Sequence, residues 1–189
     1  QLAYSGRHLV VPENLHVLAT MNTADRSIAL VDFALRRRFH FRALAPDFGA
    51  VRVRWGGQFG GLGRVVEVFE ELNRAVAWFL DADHAIGHSY LWEALERESK
   101  HEAPSLHRAA GQALLAQVIP LLHEYFHGDL PRMKKLLGPA VVAEDAPDAG
   151  RERRWLEDED AVDLLRLQGS ADPAELYAAV ELHLLGSPT

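Results

Sequence analysis

The sequence predicts an α/β segment followed by an all-α segment, and three observations carry that expectation. A mostly apolar run of seven, Leu15–Met21, precedes polar Asn22–Ser27, an amphipathic stretch Ile28–Arg37 and an alternating run Phe39–Leu44. Glycines then crowd the stretch from Gly49 to Gly63. Beyond Arg64 the apolar residues recur at three-to-four spacing, the period of a helix face.

Taken in order, Leu9-Val-Val-Pro12 is a short apolar run that proline ends, and Glu13-Asn14 is a turn. Leu15–Met21 has the length and unbroken apolarity of a parallel strand covered on both faces. Asp25 or Ser27 is placed to cap a helix over Ile28–Arg37, which carries Ile28, Val31 and Leu35 on one face. Phe39–Leu44 alternates as a strand does, which completes a βαβ unit. Asp47–Arg64 reads as loop, with Gly49, Gly56, Gly57, Gly60, Gly61 and Gly63. Val65–Asp81 reads as a helix with Val65, Val68, Phe69, Leu72, Val76 and Phe79 inward. Ser105 caps a long helix to Phe126, with Pro120 as a kink or break. Ala143–Glu152 has linker composition. Asp172, Pro173, Glu175 and Gly186 are the N-cap, N1, N3 and C-cap of a last helix. The expected domains are 1–63 (α/β), 64–142 (helical) and 143–189 (linker and helical extension).

The 189 residues include 20 Lys and Arg, 27 Asp and Glu, and no Cys, for a net charge of −7. Without Cys there is no disulfide framework, thiolate zinc site or Cys nucleophile. No apolar run approaches the roughly 18 residues of a membrane span, and the first residues lack a signal-peptide core, so a soluble, cytoplasmic protein is expected. Residues 1–64 hold nine Arg and four acids, whereas residues 65–189 carry a net −12. An acidic chain is a poor candidate for non-specific DNA binding.

His123-Glu-Tyr-Phe-His127 matches the zinc-protease pattern H-E-x-x-H. A helical wheel puts Leu114, Val118, Leu121, Leu122 and Tyr125 on one face and His123, Glu124 and His127 on the other, so a solvated helix face is expected and no metal site. His84 and His88 are also four apart, but Gly87 lies between them and no Glu accompanies them. The glycine cluster is not a P-loop, because no Gly-Lys-Ser/Thr occurs in the chain.

The informative segment is Met21-Asn-Thr-Ala-Asp-Arg-Ser27 followed, through one helix, by Ala34-Leu-Arg-Arg-Arg-Phe39. An Asn at the tip of a buried parallel strand is a rigid donor and acceptor at the edge where α/β proteins bind ligands. Three consecutive Arg complement a helix C-terminus and point in different directions. Together with Val11-Pro-Glu-Asn-Leu15, Ile86-Gly-His-Ser-Tyr90 after Leu72-Asn73, and Pro120–Phe126, these words closely resemble the McrB-type AAA+ NTPases, motor subunits of modification-dependent restriction systems. The resemblance covers about residues 4–137.

That resemblance implies the C-terminal strands of a AAA+ P-loop NTPase core followed by its helical lid. It implies that Asn22 is sensor 1, which places the attacking water. Arg37 and Arg38 are the implied arginine fingers acting in trans, with Arg36 as a weaker third. Asp25 and Arg26 would couple to an McrC-like activator, and Gly87, His88 and Ser89 would lie in a lid segment near the nucleotide. It also implies Mg2+ with ATP or GTP, a ring (a hexamer), and DNA contacts only through other domains. The P-loop and acidic Walker B strand come earlier in such proteins, so this chain alone is expected to be inactive. The alternative is a non-catalytic lid-like module that binds a AAA+ or McrC-like partner; a zinc hydrolase is a third and lesser reading.

Overall fold

A computed structural model describes residues 6, 8, 10–22, 24, 37–139, 141–142 and 172–187. It divides between Phe41 and Arg42 into two compact units. The described part of the second unit is all-α, with helices α1 (Phe48–Trp55), α2 (Leu62–Phe79), α3 (Ser89–Glu98), α4 (Leu106–Ala113), α5 (Ile119–Tyr125), α6 (Leu130–Leu137) and α7 (Pro173–Leu185). A 3-10 turn spans Ala82–His84 and a π turn spans Leu114–Val118.

The expected α/β part is not formed among the described residues, where no strand occurs. Leu15–Met21 and Phe39–Leu44 run without regular structure, and Val17 and Leu18 are 64% and 97% exposed. A strand exists only through its neighbours, and among the described residues neither run is paired as one. The apolarity that predicts burial on both faces is therefore unanswered here. The expected helix Ile28–Arg37 lies outside the described residues except for Arg37, which sits in a turn with Arg38. The expected linker Ala143–Glu152 lies outside them entirely.

The helical unit is built on α2. Its Leu62, Val65, Val66, Val68, Phe69, Leu72 and Val76 are buried at the expected spacing. Residues 48–55, expected as loop, form α1 instead. Asp47 caps it, its Oδ1 accepting the Ala50 N–H at 3.2 Å, and Phe48, Val51 and Trp55 form a buried stripe against α2. Three apolar residues at helical spacing and a cap outweigh one helical glycine, Gly49. Gly56, Gly57, Gly60 and Gly61 fall in a tight turn in which Phe59 packs edge-on to Trp55, and Gly61, at φ +82°, admits the chain to α2, whose first turn holds Gly63.

The long helix expected from Ser105 is present with its break resolved. Ser105 Oγ accepts the Arg108 N–H at 3.3 Å to start α4. Ahead of Pro120 the helix widens, and Ile119 N–H reaches the Leu114 carbonyl five residues back. Proline has no N–H and its ring crowds the carbonyl four residues back, and a π turn absorbs both defects. The α3–α4 connection is held by Glu98, whose side chain is fully buried. It accepts the Ser105 N–H at 2.8 Å and ion-pairs with Arg108, which also donates to the Ala103 carbonyl at 3.1 Å.

Helix α7 has the caps expected of it. Asp172 Oδ1 accepts from Ala174 N–H at 2.7 Å and Glu175 N–H at 3.4 Å, Pro173 occupies the first turn, and Gly186 ends the helix at φ +73°. It packs on α4, α2 and α6, burying Leu176, Tyr177 and Val180. The crossing with α4 is made at Gly111, where an added Cβ would stand 1.6 Å from the Pro173 carbonyl oxygen.

Gly111→Ala is therefore expected to force α4 and α7 apart and to lower stability by ~3 kcal/mol, read by urea unfolding and by faster amide exchange along α7. Burial alone raises the Glu98 pKa, but hydrogen bonds from Arg108 and Ser105 and the Arg108 charge outweigh it, leaving it below the ordinary value. A depressed carboxylate stabilises the fold above its unfolded pKa, and that contribution is lost as pH falls through the folded one. Glu98→Gln should thus lower stability near neutrality by about 1–2 kcal/mol and flatten the loss that the wild type shows below the ordinary glutamate range, as thermal melts across pH will register.

Candidate functional site

Of the residues singled out in the sequence, Asn22, Arg37 and Arg38 fall in the first unit, and Gly87, His88 and Ser89 in the second. Asp25, Arg26 and Arg36 lie outside the described residues. Asn22 is exposed, and its Oδ1 accepts the Ala24 N–H at 3.2 Å, a local turn typical of Asn. Arg37 and Arg38 are exposed in their turn.

The helical unit gathers its polar groups where α1 begins beside α2. A groove of about 510 Å3 is lined by Pro46, Asp47, Phe48 and Gly49 from one side and Glu70, Asn73, Arg74 and Ala77 from the other. Its charged groups are already engaged. Arg52 forks onto Glu70 with contacts of 3.0 and 3.1 Å, the two-point geometry that suits a guanidinium to a carboxylate. Arg74 Nε donates to Glu71 at 2.7 Å, and Asp47 caps α1.

Asn73 reaches from α2 to the Ile86–Ser89 loop. Its Oδ1 accepts the Ile86 N–H at 2.7 Å and its Nδ2 donates to the Ile86 carbonyl at 3.0 Å, so the amide acts as a surrogate peptide. Ile86 is fully buried as a result. Two residues on, His88 Nδ1 accepts the Asp47 N–H at 3.0 Å, and its ring meets Phe48 edge-on at 6.4 Å. The structure thus joins Asn73 to the Ile86–Ser89 words that the sequence sets apart. It adds Asp47 and Phe48, which sequence reasoning missed. The signal was available: an Asp directly before apolar residues at positions 48, 51 and 55.

A second cluster surrounds the 3-10 turn. Asp81 Oδ1 meets His84 Nδ1 at 2.6 Å, and Tyr125 packs edge-on to the imidazole at 4.8 Å. The His84 hydrogen bond, outweighing the effect of burial, holds the Asp81 carboxyl below its ordinary range. Burial raises the Tyr125 hydroxyl.

In the H-E-x-x-H segment Glu124 and His127 are exposed, as expected of a solvated face, whereas His123 is not. α5 ends at Tyr125, and His127 follows in the left-handed region at φ 51°. His123 is half-buried, with its Nε2 enclosed and without a partner. The two imidazoles therefore do not share one helix face. Among the described residues no three His, Asp or Glu side chains gather as metal ligands, and the guanidinium lining the groove is paired with a carboxylate. These residues do not fit a Mg2+–triphosphate, and the groove offers neither a nucleophile–base pair nor a phosphate cradle.

Residues 64–134 match the family described as McrB, alpha-helical lid domain. The chain is also similar to the Type IV methyl-directed restriction enzyme EcoKMcrB subunit of Escherichia coli (strain K12), with 34% identity over 133 residues. That alignment covers 66% of this chain and 28% of the relative, so the chain spans under a third of the relative's length. No solved structure matches the chain. No helix among the described residues is long and apolar enough to cross a membrane.

Asn73→Ala removes both arms of the surrogate peptide and leaves the Ile86 backbone unpaired. Stability should fall by about 2 kcal/mol, measured by urea unfolding, with the Ile86 amide among those whose exchange accelerates most.

Proposed function

We propose, from the match of residues 64–134 to the McrB α-helical lid family, that this chain is the C-terminal part of a McrB-type AAA+ nucleoside triphosphatase that drives a restriction complex. The observation that carries this reading is the coincidence of two signals in one chain: the lid-family match, and upstream of it the Met21–Ser27 and Ala34–Phe39 segments whose wording resembles McrB-type proteins.

In this reading Asn22 orients the attacking water, and Arg37 and Arg38 reach the nucleotide of the next subunit. Phosphoryl transfer leaves a protein mainly positioning and charge stabilisation to supply, so one amide and one guanidinium each carry large rate effects. Donor and acceptor surfaces differ, which makes the interface heterologous and closes it as a ring, a hexamer in this proposal. Asp25 and Arg26 receive an McrC-like activator. The Mg2+ and phosphate ligands for ATP or GTP come from elsewhere in the complete module, DNA is contacted through other domains, and the complex works in the cytoplasm. The chain by itself is inactive. A second reading, a non-catalytic lid-like module docking on a AAA+ or McrC-like partner, is favoured by one observation: the helical unit closes a core of its own, with α7 packed on α4.

The test uses the complete ring-forming subunit. Asn22→Ala and Arg37→Glu/Arg38→Glu should each reduce turnover by about a thousandfold while leaving the subunits folded. Mixing the two variants should restore part of the turnover, because mixed interfaces pair an intact Asn22 with intact fingers. No recovery on mixing rules out action in trans. Turnover by the isolated chain rules out the missing-half reading, and absence of any turnover in the complete subunit favours the non-catalytic module.

A further inference from the structure

A line of hydrogen bonds runs from the core of the helical unit to the point where the polypeptide enters it. Asn73 on α2 grips both backbone groups of Ile86. Two residues later His88 Nδ1 accepts the Asp47 N–H, 41 positions back in sequence, at 3.0 Å. Asp47 is the N-cap of α1, so its side chain is committed to the helix while its own N–H has no partner within it. The imidazole supplies that partner and braces Phe48, which is 5% exposed, with its edge. A neutral imidazole that accepts at Nδ1 carries its proton on Nε2.

We propose that His88 is a positioning residue that latches the peptide leading into the helical unit, fixing the Pro46–Asp47 direction through Nδ1, while Asn73 holds the loop that carries it. This departs from a nucleotide-contacting role for Gly87, His88 and Ser89, since the Nδ1 lone pair is used by the chain's own backbone. Its consequence rests on the lid reading: with the latch closed the lid is a rigid lever on its connecting peptide, and with it open the lid is merely tethered.

Two substitutions separate the latch from simple packing. In Asn the Oδ1 is bonded to Cγ, as Nδ1 is in His, so His88→Asn keeps an acceptor at the latching position. In Gln the amide lies one atom further out, near the place of Nε2, so His88→Gln does not. Amide exchange of the full chain, followed residue by residue by NMR, is expected to show Asp47 protected in the wild type and in His88→Asn. In His88→Gln it should exchange about tenfold faster, with the Ile86 amide protected in all three. The wild-type imidazole nitrogen shifts should report the Nε2–H tautomer. Equal Asp47 exchange in the two variants overturns the proposal. So does loss of Ile86 protection in both, which would mark a general loosening. No nucleotide enters this experiment, so its failure leaves the functional reading standing, and failure of the turnover tests leaves the latch standing.

Discussion

At Gly111 the backbone of α4 meets the first turn of α7 with no space for a methyl group between them. The rest of the helical unit depends on this crossing, because α7 is the element that closes the core laid down by the helices from α1 to α6. Around it the contacts are specific. Arg64 pairs with Glu181 at 2.9 Å and donates to the Gly186 carbonyl at 2.8 Å, tying the start of α2 to the end of α7. His183 reaches the Lys135 carbonyl at 2.9 Å, and its ring lies against Gly138, where φ is +93° and a Cβ would come within 2.9 Å of it. Two glycines thus set how near α7 lies to its neighbours.

The polar interior follows one economy. Asn73, Glu98 and His88 each bond to the backbone of a loop rather than only to another side chain. A loop that packs inward must satisfy its own amides, and one side chain with the right donor or acceptor does that at a distance from any helix or sheet. The apolar interior is less thorough. Tyr177 is fully buried with its hydroxyl unpaired among the described residues, and burial pushes that group far above its ordinary pKa. Trp55 Nε1 is similarly enclosed, while Arg54 stacks over the indole at 4.0 Å.

How much of this was legible in the sequence depended on whether the signal was local. The caps of α7 are chemistry between neighbours, so Asp172, Pro173, Glu175 and Gly186 could be read directly, as could Ser105 and the apolar face of α2. α1 is masked in the sequence because six glycines between positions 49 and 63 obscure the helical spacing of Phe48, Val51 and Trp55. The strands at Leu15–Met21 and Phe39–Leu44 rest on unbroken apolarity and on alternation respectively, signals that report the need for partners but do not supply them. Among the site residues, Ile86–Ser89 was recognised as a word before its purpose was visible. The Asn73–Ile86 and His88–Asp47 bonds join residues 13 and 41 apart, beyond the reach of any periodicity argument. Asn22, Arg37 and Arg38 rest on the resemblance and on their chemistry alone.

The widened turn at Leu114–Val118 has a consequence for how the chain tolerates change in length. A π turn is an α-helix with one residue too many, carried locally so that the flanking turns keep their facing. Each extra residue in a regular helix would rotate everything after it by about 100°, swinging Leu122 and Phe126 out of the core, where they are 0% and 4% exposed. Here that rotation is already absorbed. A deletion of one residue within this turn would remove the surplus residue and keep Leu122 and Phe126 facing inward, at the cost of setting Pro120 in regular winding, whereas the same deletion in α2 would turn its buried stripe toward solvent. The segment before Pro120 is thus a built-in slack of one residue in an otherwise fixed register.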